Sequence, residues 1–189
     1  MNQILKPIPV DREVQWNKKQ IIESKIDLSG NILSVNDAFE EVSEYENNEL
    51  IGKSIDLLYH PEMPTLINKL LWENIKNEKR FYCIIKNISK SGRYYWVLQE
   101  YQFVKDENGK IISYINRSKD VSQSVIENHI QPLYRKLFLI EQASGLELSK
   151  QYLVGFLEDV GYTYVDYLTK LISNEVKSHN EVDSSWYNF

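Results

Sequence analysis

Between Asn36 and Val97 the chain runs through Asn36-Asp37-Ala38-Phe39, Glu49-Leu50-Ile51-Gly52-Lys53, His60-Pro61-Glu62-Met63-Pro64, Trp72, Lys86-Asn87 and Ser91-Gly92-Arg93-Tyr94-Tyr95-Trp96-Val97. The hydrophobic period changes along this stretch, and those changes set the fold class. Asp37 to Val42 suits a short helix with Asn36 or Asp37 as its N-cap. Asn47 to Ile51 suits a helical turn ended by Gly52. After the proline-bracketed segment a longer helix is predicted over Thr65 to Lys76, with Leu66, Leu70 and Ile75 as its apolar stripe and Leu71 and Trp72 widening it. From Phe81 the pattern turns to strands. Tyr82 to Ile85 comes first, then a turn at Ser89-Lys90-Ser91-Gly92, then Tyr94 to Val104.

Working outward, Asp106-Glu107-Asn108-Gly109 is a strong hairpin signal that leads into a strand over Ile111 to Asn116. Upstream, Ile22, Ser24, Ile26 and Leu28 alternate with polar partners, and a turn at Ser29-Gly30-Asn31 precedes Ile32, Leu33 and Val35. Two strands, short helices, one longer helix and a three-stranded meander make an α+β plan. Near Asp120 the character becomes helical. Ile126, Ile130, Leu133, Leu137 and Ile140 step at the spacing of a helix–helix seam that Pro132 interrupts. Leu148 to about Val176 reads as a second helix, weakened at Gly155 and Gly161. The domain reading is therefore an arm over 1–20, an α+β domain over 21–120, a helical extension of two amphipathic helices over 121–178 and a tail over 179–189.

Composition narrows the function. Among 189 residues, 42% are hydrophobic and 26% charged, so the chain can bury a core. A net charge of −5 argues against an electrostatic grip on nucleic acid. No apolar run reaches the ~18–20 residues of a membrane span, and the first residues lack a signal-peptide core, so a cytoplasmic protein is expected. One cysteine and three histidines, with no pair at ligand spacing, make a dedicated metal site improbable. The nucleophile elbow, the phosphate-cradling glycine loop and the His-Glu-x-x-His helix are all missing, so no enzyme is expected. The surplus is aromatic. Thirteen tyrosines and four tryptophans suit a cofactor pocket, a core or a helix interface equally well.

The words quoted above, in their order and spacing, resemble a PAS sensor domain, and more narrowly the FAD-binding PAS domains of bacterial aerotaxis and energy-taxis receptors. The resemblance spans about Gln20 to Ser122. It implies a five-stranded antiparallel sheet with flanking short helices and one longer helix, followed here by an α-helical extension. It also implies a flavin pocket on the sheet's concave face, formed by Asn36, His60, Trp72, Phe81, Asn87 and Trp96. FAD is the cofactor so implied, with FMN or an empty pocket as alternatives, because the family's arginine before His-Pro is Tyr59 here. Each residue also has a plainer use: Asn36 as a helix cap, His60 as a loop histidine, Trp72 and Trp96 as core. By the same resemblance the protein would be a redox or oxygen sensor in signal transduction. It would act as a homodimer or through a partner such as a membrane chemotaxis transducer. The alternative is a ligand-free PAS interaction module.

Overall fold

The computed structural model describes residues 6–178. The chain divides into two units, Met1–Val121 and Ser122–Phe189. The first holds five strands: β1 (Ile22–Ile26), β2 (Ile32–Val35), β3 (Tyr82–Ile88), β4 (Tyr94–Lys105) and β5 (Ile111–Lys119). Between β2 and β3 lie α1 (Asp37–Ser43), α2 (Asn47–Leu50), a 3₁₀ turn (Ile55–Leu58) and α3 (Thr65–Lys76). The sheet is antiparallel throughout, in the order β2-β1-β5-β4-β3.

Register assigns the faces, because alternate residues of a strand point to opposite sides. Pairing of Ile22 with Ser118, Ser24 with Asn116, Gln99 with Ser118, Tyr101 with Asn116, Cys83 with Gln99 and Asn87 with Tyr95 puts all of these on one face. We call it the inner face. Tyr82, Ile84, Lys86, Tyr94, Trp96 and Leu98 alternate onto the outer face. The β1–β2 turn closes on Asp27, whose carboxylate accepts from the backbone N–H groups of Ser29 and Asn31, each at 2.8 Å. Helix α3 buries Leu66, Ile67, Leu71 and Ile75. Its core stripe is thus turned slightly from the expected one, with Ile67 in and Leu70 half-buried.

The arm is more than a tether. Val14 N–H donates to the Tyr94 carbonyl at 2.8 Å, and Tyr94 N–H donates to that of Arg12 at 3.0 Å. Strand β5 pairs with β4 only from Leu98 onward, so the arm takes the hydrogen bonds that β5 leaves open at Tyr94. Val14 and Trp16 are buried as a result. Gly92 permits the approach. It sits at φ +86°, and a Cβ there would lie 2.1 Å from the Ile8 carbonyl oxygen.

The second unit begins with α4 (Gln123–Val125), which continues through a π-helical turn (Ile126–Ile130) into α5 (Gln131–Ser144). Pro132 explains the turn. It has no N–H to donate, and its ring crowds the carbonyl four residues earlier, so the helix widens and Gln131 N–H reaches back five residues to Ile126. Helices α6 (Leu146–Val160) and α7 (Tyr164–Ser178) replace the single second helix expected from the sequence. Gly161, at φ +75°, caps α6 in the left-handed region and ends it. The Ser149 hydroxyl ties α6 to the Leu137 carbonyl of α5, and the phenols of Tyr134 and Tyr164 meet in a buried hydrogen bond. The expected tail over 179–189 lies outside the described residues.

Candidate functional site

A small cavity lies between the inner face and the short helices. Its walls are Ile22 of β1, Phe39 of α1, Ile55 and Leu58 of the 3₁₀ turn, Tyr59, Asn87 of β3, Tyr95, Val97 and Gln99 of β4, and Asn116 and Ser118 of β5. The floor is polar. Three neighbouring strands each present an amide side chain on one face, which is costly in a core unless the amides are bonded. Part of the set is satisfied within the chain. Gln99 Nε2 donates to the Tyr101 hydroxyl at 3.0 Å, the Ser118 hydroxyl donates to Asn116 Oδ1 at 3.3 Å, and the Tyr95 phenol bonds the Asn87 amide. Gln99 Oε1 and the Ser24 hydroxyl are buried without a partner.

Of the six residues expected at the pocket, Asn87 lines this cavity, and the other five are placed elsewhere. Asn36 is spent on backbone: its Oδ1 accepts from Phe39 and Glu23 N–H, each at 3.0 Å, and its Nδ2 donates to the Ile21 carbonyl at 2.8 Å. It caps α1 and ties that helix to the start of β1. Trp96 alternates onto the outer face, opposite Tyr95 and Val97, so the expectation that it walls the pocket is corrected by strand parity. Trp72 packs its ring on Tyr101 (5.9 Å between centroids) and on Tyr114 (6.5 Å), beyond the cavity. Phe81, just before β3, is buried outside the lining.

His60 is buried at the sheet edge. Its N–H donates to the Lys86 carbonyl at 3.1 Å, and its Nδ1 accepts from the Glu62 N–H at 3.2 Å. The ring proton of the neutral form therefore sits on Nε2. Burial, reinforced by the nearby Lys86 ammonium, lowers its pKa to about 4. Lys86 in turn pairs with Glu62 at 2.7 Å. This loop covers β3, which would otherwise be a bare edge. Burial also pushes the Cys83 thiol well up, so it holds no thiolate at neutral pH.

The sequence reading missed Tyr95, Gln99, Asn116 and Ser118. A signal for most of them was present in the two-residue alternation. Tyr95, Val97, Gln99 and Tyr101 share parity along β4, as do Asn116 and Ser118 along β5. Among the described residues no group of three or more His, Cys, Asp or Glu side chains could hold a metal ion.

Residues 32–116 match the family model described as the PAS fold. Over these residues the chain has the PAS fold. The chain is also similar to proteins whose names are those of sensory proteins. It is 32% identical over 115 residues to the aerotaxis receptor of Escherichia coli, a match covering 60% of this chain and 22% of the receptor. It is 29% identical over 143 residues to a blue-light-activated histidine kinase of Brucella anthropi, covering 75% of this chain and 28% of the kinase. A match to phototropin-2 of Oryza sativa, at 28% identity over 106 residues, covers 56% of this chain and 11% of that protein. The chain thus spans between 11% and 28% of these relatives. Among solved structures, the PAS domain of a Colwellia psychrerythraea protein superposes at TM-score 0.50 with 19% identity, over 55% of this chain and 87% of that one. A light-oxygen-voltage domain studied with a flavin analogue superposes at TM-score 0.51 with 20% identity, over 66% of this chain and 88% of that one. These two likenesses establish the fold alone.

The PAS cavity measures about 10 Å³. That is room for roughly one water molecule, whereas drug-sized ligands occupy ~300–1,000 Å³. The amide floor suits the mixed donors and acceptors of a flavin ring, but a flavin does not fit while Phe39, Leu58, Tyr59 and Tyr95 lie as they do.

Proposed function

We propose that this chain is a cytoplasmic PAS signal-transduction protein, not an enzyme, whose resting core is closed over its own side chains. The observation carrying this reading is the cavity of about 10 Å³, floored by amides yet filled by Phe39, Leu58, Tyr59 and Tyr95. A change in that core has a covalent route out. Asn116 and Ser118 line the cavity from β5, which is bonded on one side to β1 and on the other to β4. The same chain enters the helical unit at Gln123. A shift of β5 would be passed to those helices, and through them to a second copy or to a partner such as a chemotaxis transducer. Likeness to an aerotaxis receptor and to a light-activated kinase supports a sensory role. Among the described residues no helix is long and apolar enough to cross a membrane.

A second reading, a flavin-bound redox or oxygen sensor holding FAD or FMN, is favoured by the inward amides Asn87, Gln99 and Asn116. It requires the side chains that fill the cavity to move. One experiment separates the two. The purified protein is expected to be colourless and to remain so after incubation with FAD or FMN and removal of free cofactor. Stoichiometric retention of flavin absorbance would replace the closed-core reading with the flavin one.

A further inference from the structure

We propose that Tyr59 is the built-in occupant of the PAS cavity, its phenol lying where a small neutral phenolic ring would bind. This rests on the closed-core reading above. The ring reaches its position from the loop that clasps the sheet edge. Tyr59 caps the 3₁₀ turn through its N–H to the Asp56 carbonyl at 3.2 Å, then bridges Asn87 of β3. Its side chain lines the cavity together with Asn87, Tyr95 and Gln99, and the residue is 7% exposed.

The surroundings are those of a ligand site. The Tyr59 hydroxyl is buried against that of Tyr101 and hydrogen-bonds with it, and the Tyr101 hydroxyl also accepts from the Gln99 amide. Gln99 Oε1, in the same cavity, is a buried acceptor with no partner. Burying an amide oxygen unpaired is unfavourable. Tyr59 and Gln99 both line a space of about 10 Å³, room for about one water, the kind of donor that Gln99 Oε1 lacks. A phenol with a bridging water is therefore the chemistry this site accepts, and the chain supplies the phenol.

The test removes the tethered ring and returns a free one. Tyr59→Ala opens a cavity the size of the deleted phenol, and p-cresol, which reproduces that group, is the probe. Wild type and variant are melted over a range of p-cresol concentrations. The variant is expected to melt lower than wild type and to regain several degrees of Tm with p-cresol, saturably. Wild type is expected not to respond, and Tyr59→Phe, which keeps the ring, is expected to match wild type in this. Should Tyr59→Ala not fold alone, recovery of its folded signal on adding p-cresol supports the proposal equally. Tyr59→Val, with more residual packing, gives the same readout. An equal p-cresol response in wild type, or none in either cavity variant, overturns the role of Tyr59. Flavin uptake by wild type instead overturns the closed-core reading, whatever p-cresol does.

Discussion

His60 shows how one buried ring turns a pH change into a stability change. Its folded pKa of about 4 lies below the ordinary value of 6.5, so between these values the unfolded chain binds a proton that the folded chain refuses. Stability from this group is therefore complete above about pH 6.5 and falls as the pH drops toward 4. The expected outcome is a Tm that declines across this window in wild type and declines less in His60→Gln, followed by thermal melts at stepped pH. Equal slopes would remove His60 as the cause. Glu44 is a second residue whose local bonds hold elements together. It sits at φ 59°, a strained backbone for a non-glycine residue, yet its carboxylate accepts from the Ser89 hydroxyl, the Ser91 backbone N–H and hydroxyl, and the Arg93 guanidinium. These bonds fasten the end of α1 to the β3–β4 turn. Glu44→Ala should cost about 1–3 kcal/mol in chemical denaturation, while a loss below that would show the bonds to be spent on offsetting backbone strain.

At the scale of elements, the arm and the helices each offer a separable contact. Gly92→Ala sets a Cβ against the Ile8 carbonyl at a positive φ, so it should lower stability by more than about 1 kcal/mol and expose residues ahead of Val14 to protease. The Tyr134–Tyr164 contact joins α5 to α7. Either tyrosine replaced by phenylalanine should cost roughly 1 kcal/mol, and the double variant less than the sum, in a denaturant double-mutant cycle. Strict additivity would show the two phenols to be uncoupled. Most of these elements were legible in the sequence because β1 announces itself by alternation and the turns by Asn-Gly and Ser-Gly. The arm's pairing was not, since Pro7 and Pro9 read as irregular chain and only the early end of β5 leaves Tyr94 open to it. The break at Gly161 was foreshadowed by the cost of glycine in a helix, but the π turn follows from Pro132 acting on the turn ahead of it.

For the molecule as a whole, the α+β plan and the PAS domain could be read from word order alone, while the site could not. Five of the six expected pocket residues answer to local demands: a cap, an edge clasp, outer-face packing, aromatic packing beside the pocket and burial ahead of β3. The cavity itself is defined by register among β1, β3, β4 and β5, a relation between distant segments that no single segment displays. Surface charge contributes little to holding this assembly. Pairs such as Lys90–Glu49 and Lys105–Glu78 are solvent-facing, and such pairs are each worth about 0–1 kcal/mol. Raising the salt to about 1 M, where screening acts within ~3 Å, should therefore move Tm by only a few degrees, and a collapse of stability would reveal a charge network instead.

A ring tethered inside its own cavity changes what any outside molecule must overcome. Tyr59 is never diluted. Joined to the site by a short loop, it competes at an effective concentration on the order of millimolar or above, whatever the protein concentration. A freely diffusing ligand gains access only in proportion to the fraction of time the loop has withdrawn, so its apparent affinity is scaled down by that fraction. A partner that pulls the loop off β3 would thus raise the affinity for small molecules, and by linkage those molecules would strengthen that partner's hold by the same factor.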